Sequence, residues 1–283
     1  MVSRLVLYLL GPPRIECEGV PIKMDTRKAV ALLAYIAVTG KSHRRASLVN
    51  LLWPEYDRTR GRAALRRTLY VLRKALPGAW LDVDREQVGL NPCPVPSTGS
   101  GQALSTSSGQ VPSTSSGQGL WVDVDQFRQH LALCETHGHP PAQVCPACVA
   151  PLTEAVTLYR GDFLSGFGLR DSVNFDDWQF FQADVLRREL AGALERLVQW
   201  HNLQREFTPA VGYARRRLAL DPLDEGAHCD LMCSYAWSGQ RSAALRQYDE
   251  CVAILQDQLD VPPREATTEL YRAIKGNRAP PRP

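Results

Sequence analysis

Apolar and polar positions divide the chain into stretches of different rhythm. At the start, apolar residues come in short runs broken by turn residues. Leu5–Leu9 is β-like and meets Gly11-Pro12-Pro13, and the runs Arg14–Cys17 and Val20-Pro21-Ile22 follow around the Glu18-Gly19 turn. The spacing then becomes helical. Asp25 or Thr26 can cap a helix with Ala29, Val30, Leu33, Ile36 and Ala37 on its apolar side, and Gly40 stops it. A second helix is predicted over 45–53, with Leu48, Leu51 and Leu52 inward and Pro54 ending it. A third is predicted over 60–76, stopped by Pro77-Gly78. Leu81–Val83 and Gln87–Leu90 flank Asp84-Arg85-Glu86 as a β-hairpin. Strands, three helices and a hairpin, in that order, make a winged helix-turn-helix over residues 1–92.

After Gly119 the pattern is helical almost throughout. Val124, Phe127, Leu131 and Leu133 begin one helix, and Val149–Leu158 forms another with Leu152, Ala155, Val156 and Tyr159 inward. Trp178–Trp200 is a long amphipathic run carrying Phe181, Val185, Leu186, Leu190, Leu194 and Leu197. An echo at 34 residues pairs Ala210 with Ala244, Leu218 with Val252 and Leu220 with Ile254. That is the period of tetratricopeptide (TPR) helical hairpins. The predicted fold is therefore mainly α: the N-terminal winged helix (α+β), then an all-α TPR-like domain over 120–277.

Between the two lies a segment of another kind. Residues 94–119 are almost entirely Ser, Thr, Gly, Gln and Pro, uncharged, with a repeat of eight that brings back Gly101-Gln102, Gly109-Gln110 and Gly117-Gln118. A short period without apolar residues cannot build a core, so 93–119 reads as a linker or tolerated insert. Residues 278–283 form a Pro-rich tail of linker-like composition.

Composition narrows the function classes. The 283 residues are 44% hydrophobic, too apolar for a chain disordered throughout. No run approaches the roughly 18 apolar residues of a membrane span, and the Leu5–Leu10 run is too short for a signal peptide. The expected location is the cytoplasm, with no membrane partner. Net charge is only +3, but residues 1–92 carry 16 Lys+Arg against 8 Asp+Glu, leaving the remainder acidic. Such asymmetry points to a polyanion meeting the first part.

The third helix sharpens this. Leu65, Leu69, Leu72 and Leu76 form one inward stripe, and the opposite face presents Ala63, Arg67, Tyr70 and Lys74 flanked by Arg66 and Arg73. With Arg58, Arg60 and Arg62, the 58–74 stretch holds seven basic residues and no acid. A merely solvated helix normally interleaves acids as i,i+4 partners. Unneutralised charge along one face suits DNA phosphates, with Arg able to fork onto guanine edges. Arg44 and Arg45, opening the second helix, would lie near a phosphate, and Arg85 sits where a wing reaches the backbone. A basic solvated face or a protein-docking face is the bland alternative.

The Leu51-Leu52-Trp53-Pro54 helix end and Leu65-Arg66-Arg67…Leu69…Leu72-Arg73 resemble the response-regulator type of winged helix. Leu158-Tyr159-Arg160-Gly161-Asp162-Phe163-Leu164, Trp178 and Ala214-Arg215-Arg216…Leu220-Asp221-Pro222-Leu223-Asp224-Glu225 resemble the bacterial transcriptional activator domain. The pairing is similar to SARP-type bacterial transcriptional activators. That resemblance implies an activator on direct-repeat promoter DNA, side-by-side copies, and contact with RNA polymerase. In related long regulators this pair precedes a nucleotide-binding ATPase, so an N-terminal regulatory fragment of such a protein is the alternative. A TPR-like interaction scaffold is another.

Cys134-x2-His137-x-His139-x5-Cys145-x2-Cys148 gathers three thiols and two imidazoles. This spacing suits structural Zn²⁺, with a C-x2-C knuckle opposite a pair formed by Cys134 and either His137 or His139. A redox pair lacks its βαβ context, and inert packing thiols are the third reading. Cys17, Cys229, Cys233 and Cys251 lie among apolar neighbours and read as core residues. No G-x4-G-K-[ST], H-E-x-x-H or G-x-S-x-G occurs, and Asp82, Asp84, Asp176 and Asp177 sit where caps and turns need acids. No enzyme is predicted.

Overall fold

The computed structural model describes residues 4–76, 80–91, 119–140, 143–278 and 280. Cys93, the low-complexity repeats, the Pro77-Gly78 stop and the end of the Pro-rich tail lie outside them. Strands β1 (Arg4–Tyr8), β2 (Arg14–Cys17) and β3 (Val20–Pro21) open the chain, followed by α1 (Arg27–Thr39). Of the two candidate caps Thr26 is used, its Oγ1 accepting from the Ala29 N–H at 3.3 Å. Gly40 ends α1 in the left-handed conformation its lack of Cβ permits (φ 62°).

Next come β4 (His43–Arg44), α2 (Arg45–Leu52), α3 (Arg58–Ala75), β5 (Leu81–Val83) and β6 (Gln87–Leu90). The hairpin β5–β6 gains β4 on its other edge, giving the order β4-β6-β5. Asp84 builds the hairpin turn by accepting from the N–H groups of Glu86 and Gln87, both at 2.6 Å. Leu65, Leu69, Leu72 and Leu76 are buried, as their spacing predicts. The helix α3 starts two residues earlier than expected, because Asp57 caps it by accepting from Thr59 N–H (2.8 Å) and Arg60 N–H (3.0 Å).

Residues just after the insert form β7 (Gly119–Val122), which lies parallel to β1 and extends the first sheet to the order β3-β2-β1-β7. Gly119 thus belongs to a strand rather than to the linker. Local patterning does not show this, because the pairing partner lies more than a hundred residues away.

The helices that follow are α4 (Asp123–Glu135), α5 (Pro146–Leu158), α6 (Val173–Leu203), α7 (Phe207–Leu220), α8 (Glu225–Trp237), α9 (Arg241–Leu259) and α10 (Glu265–Lys275). Consecutive helices from α7 to α10 pack on one another around Val198, Ala214, Leu231, Met232, Tyr235, Ala244 and Ile274. Ala210 and Ala244 are both fully buried, and their echoed partners are matched in partial burial, which is how hairpins of one repeat should behave. In α6 the buried stripe runs through Phe175, Leu186, Leu190, Leu194 and Leu197. Phe181 and Val185, counted in the amphipathic run, fall beside that stripe and are exposed, and Leu133 in α4 is exposed as well.

Contacts divide the chain into two compact units that do not follow its linear order. One lies within Met1–Gln126 and Arg160–Ala183, the other within Phe127–Tyr159 and Asp184–Pro283. In the first, the 160–183 stretch completes the winged-helix unit. Leu164 N–H donates to Leu9 C=O (2.8 Å), Ser172 Oγ to Leu52 C=O (2.6 Å), and Trp178 packs on Tyr35, Phe163 and Phe175. The Arg160-Gly161-Asp162-Phe163-Leu164 segment therefore builds this unit's core. No described helix is long and apolar enough to cross a membrane.

Candidate nucleic-acid interface and metal-ligand cluster

The exposed face of α3 exists because its opposite face is committed to leucines. Arg58, Arg60, Arg62, Arg66, Arg67, Tyr70, Arg73 and Lys74 are all exposed. Arg60 lies over the Tyr56 ring at 4.6 Å, so part of its surface is spent on stacking. Among the described residues none of the cations on this helix has an ion-pair partner, whereas Arg217 in the helical unit has Asp230, Asp224 and Glu195 around it.

Three elements bring further cations to the start of α3. Arg44, Arg45, Arg62, Arg66 and Arg85 line one cleft of about 820 Å³, with Thr59 and Glu86. Arg44 and Arg45 arrive through β4 and the first turn of α2, where Arg45 N–H donates to Glu86 C=O at 2.8 Å. The Arg45 Nε is buried and has no hydrogen-bond partner among the described residues. Arg85 arrives at the tip of the β5–β6 turn. Arg58, Arg67, Tyr70, Arg73 and Lys74 do not line the cleft. The two nearby acids serve the backbone: Asp57 and Asp84 each accept two N–H groups, which hold both carboxyls below the usual carboxylate range. They cap and turn; they do not cancel the cationic face.

A second cluster lies between α4 and α5. His137, His139, Cys145 and Cys148 place one ligand atom each within 4.8 Å of one another. Cys145 is the N-cap of α5, Pro146 opens the helix, and Cys148 falls in its first turn with its N–H on Cys145 C=O (2.9 Å). His137 Nδ1 is 3.0 Å from Cys148 Sγ and 3.4 Å from Cys145 Sγ; His139 Nε2 is 3.2 Å from Cys148 Sγ. Burial pushes the Cys145 thiol up, but hydrogen bonds from Cys148 and from the N–H groups of Ala147 and Cys148 outweigh it and bring it down to about 6. Cys148 is pushed up to about 11, chiefly by burial. Cys134, the remaining thiol of the spacing pattern, is buried outside this group with its Sγ against the carbonyls of His130 and Cys148, each at 3.8 Å. Cys17 and Cys251 are buried free thiols, and Cys229 and Cys233 are half-buried.

Comparison with known proteins bears on the family and the fold. The family described as the bacterial transcriptional activator domain matches residues 122–275. The chain belongs to that family. It is accordingly a regulator of transcription by kinship, with the SARP-type arrangement its motifs resemble. The solved structure of Mycobacterium tuberculosis EmbR in complex with a low-affinity phosphopeptide superposes with a TM-score of 0.70 at 19% identity, over 99% of this chain and 67% of that one. No curated protein matches by sequence. At that identity the likeness speaks to the fold: a winged helix followed by a TPR-like activator domain.

Sequence reasoning missed Asp123 altogether. Its buried carboxylate accepts from the N–H groups of Leu9 (2.8 Å) and Leu10 (2.9 Å) and pairs with Arg160 at 3.2 Å. Nothing local marks it, since an acid opening a helix is ordinary capping.

Proposed function

We propose that this regulator binds promoter DNA by docking α3 in the major groove. The observation carrying this reading is the row of cations on α3 with no ion-pair partner among the described residues, together with Arg44, Arg45 and Arg85, which converge on its start from other elements. Arg44, Arg45, Arg58 and Arg73 contact phosphates and set register, with Arg60, Arg62 and Lys74 adding to that field. Arg66, Arg67 and Tyr70 lie nearest the base edges, and Arg85 on the wing reaches the neighbouring backbone. Kinship with SARP-type activators supports direct-repeat sites, self-association on DNA and contact with RNA polymerase as the route to activation. Within the activator domain, the His137–Cys148 cluster is a place for a structural metal ion, with no catalytic role.

The test is fluorescence anisotropy of the full chain on pooled genomic promoter duplexes across a salt series. Affinity should fall steeply with salt, each neutralised phosphate contributing a log–log slope of about −0.9. On the selected operator, Arg66→Ala and Arg67→Ala should each weaken binding by about tenfold, roughly 1–3 kcal/mol per lost base contact. Undiminished binding in both variants, or no binding at low salt, overturns the assignment and favours a protein-docking face.

A further inference from the structure

We infer that Zn²⁺ is held by His137, His139, Cys145 and Cys148, without Cys134, and that it staples the α4–α5 connection of the activator domain. This rests on reading the cluster as a metal site; it does not depend on DNA binding. The first support is size. A tetrahedron with metal–sulfur bonds of about 2.3 Å and metal–nitrogen bonds of about 2.0–2.1 Å has edges of roughly 3.3–3.8 Å. The Cys145–Cys148 sulfur separation is 3.6 Å; His137 Nδ1 stands 3.0 Å from Cys148 Sγ and 3.4 Å from Cys145 Sγ, and His139 Nε2 3.2 Å from Cys148 Sγ. Four of the six separations thus already stand close to those of a tetrahedral ligand set, and all six are within 4.8 Å.

The second support is the orientation of His139. Its Nδ1 lies 3.0 Å from the Pro140 carbonyl, an acceptor only, so Nδ1 carries the proton and donates. The neutral ring then turns an Nε2 lone pair toward Cys148 Sγ and the centre of the cluster. A metal-bound histidine characteristically has its other ring nitrogen tied in this way. The third support is the α5 N-terminus, where Cys145 as N-cap and Cys148 in the first turn present both sulfurs on the side of the two histidines. Binding releases the two thiol protons, and two thiolates with two neutral imidazoles around Zn²⁺ leave the site uncharged.

Cys134 has another task. Its thiol proton points to backbone carbonyls on α4 and α5, which makes it a packing residue beneath the site. Four protein ligands fill the tetrahedron, leaving no open position for water or substrate, so the ion is structural. It joins two residues just beyond α4 to the first turn of α5 across the Gly138–Pro140 turn, where both histidines are at least partly exposed.

Elemental analysis of the full chain, purified without chelator, should find one Zn²⁺ per molecule. Co²⁺ exchanged into the protein should give the intense visible bands of a tetrahedral site with sulfur-to-metal charge transfer. Cys145→Ser and His139→Gln should each weaken metal binding at least about tenfold, and Cys134→Ser should keep it. Stripping the metal should speed amide exchange at Cys148 and Val149, leaving exchange in α3 unchanged. No metal in the full chain, with the cysteines freely titratable or Cys145 and Cys148 joined as a disulfide, overturns the metal reading itself. Metal that survives His139→Gln and is lost in Cys134→Ser overturns this ligand set alone. Metal whose removal leaves Cys148 and Val149 exchange unaltered overturns the staple.

Discussion

Asp123 holds two backbone N–H groups that no strand partner reaches, those of Leu9 and Leu10 at the end of β1. Burial pushes its carboxyl above the usual range, against the pull of those N–H groups and of Arg160. Truncation would leave two buried donors unpartnered. Asp123→Ala should therefore cost about 3 kcal/mol of stability, read by urea denaturation, since orphaned buried groups cost about 1–3 kcal/mol each. The candidate DNA residues are different in kind. Arg66, Arg67 and Tyr70 could be named from the sequence because their exposure follows from helical geometry once the leucine stripe is known. Asp123 could not, because its partners are brought to it by chain more than a hundred residues away.

At the scale of elements, α2 and α3 approach closely only because position 61 lacks a side chain. A Cβ there would stand 2.3 Å from Val49 Cγ1. Alanine would be the better helix former by about 1 kcal/mol, but the overlap forces α2 and α3 apart at a cost of about 1–3 kcal/mol. Gly61→Ala should lower the melting temperature and weaken promoter binding together, and Gly61→Ala combined with Val49→Ala should recover much of both losses. The helices themselves were legible as periodic stripes with caps and stops. The strands β4 and β7 were not: β4 is two residues long, and β7 exists only through its parallel pairing with β1. The exposed Phe181 shows the same limit inside a helix, since in a sequence rich in apolar residues a single aromatic cannot reveal which side of the stripe it occupies.

Across the whole molecule, His43 in one unit and Asp230 in the other respond to acid in opposite directions. In the winged-helix unit His43 is buried against Tyr35 and Thr39, and burial, then Lys41, lowers its pKa below the ordinary 6.5. The folded state prefers the neutral ring, so its contribution is present above pH 6.5 and is lost as pH falls below it. In the helical unit burial raises Asp230 from 3.8 to about 6 despite Arg217. There the folded state prefers the protonated acid, so stability is gained as pH falls through 6 toward 3.8. Between pH 7.5 and 5.0, wild type should lose stability relative to His43→Gln and gain it relative to Asp230→Asn. Parallel pH profiles for wild type and either variant, measured by thermal denaturation, would contradict that assignment.

The order of winged helix and TPR-like helices, the leucine stripe of α3 and its cationic outer face are properties of residue spacing, and one chain read in isolation carries them. So is the gathering of His and Cys within fifteen residues. Which four of those five residues meet is another matter, as are the arginines that converge from β4, α2 and the hairpin tip, and the return of 160–183 to the N-terminal unit. Each depends on backbone pairing and packing between residues distant in sequence. Periodicity is a local quantity and contains no term for such contacts, so only the closed fold selects them.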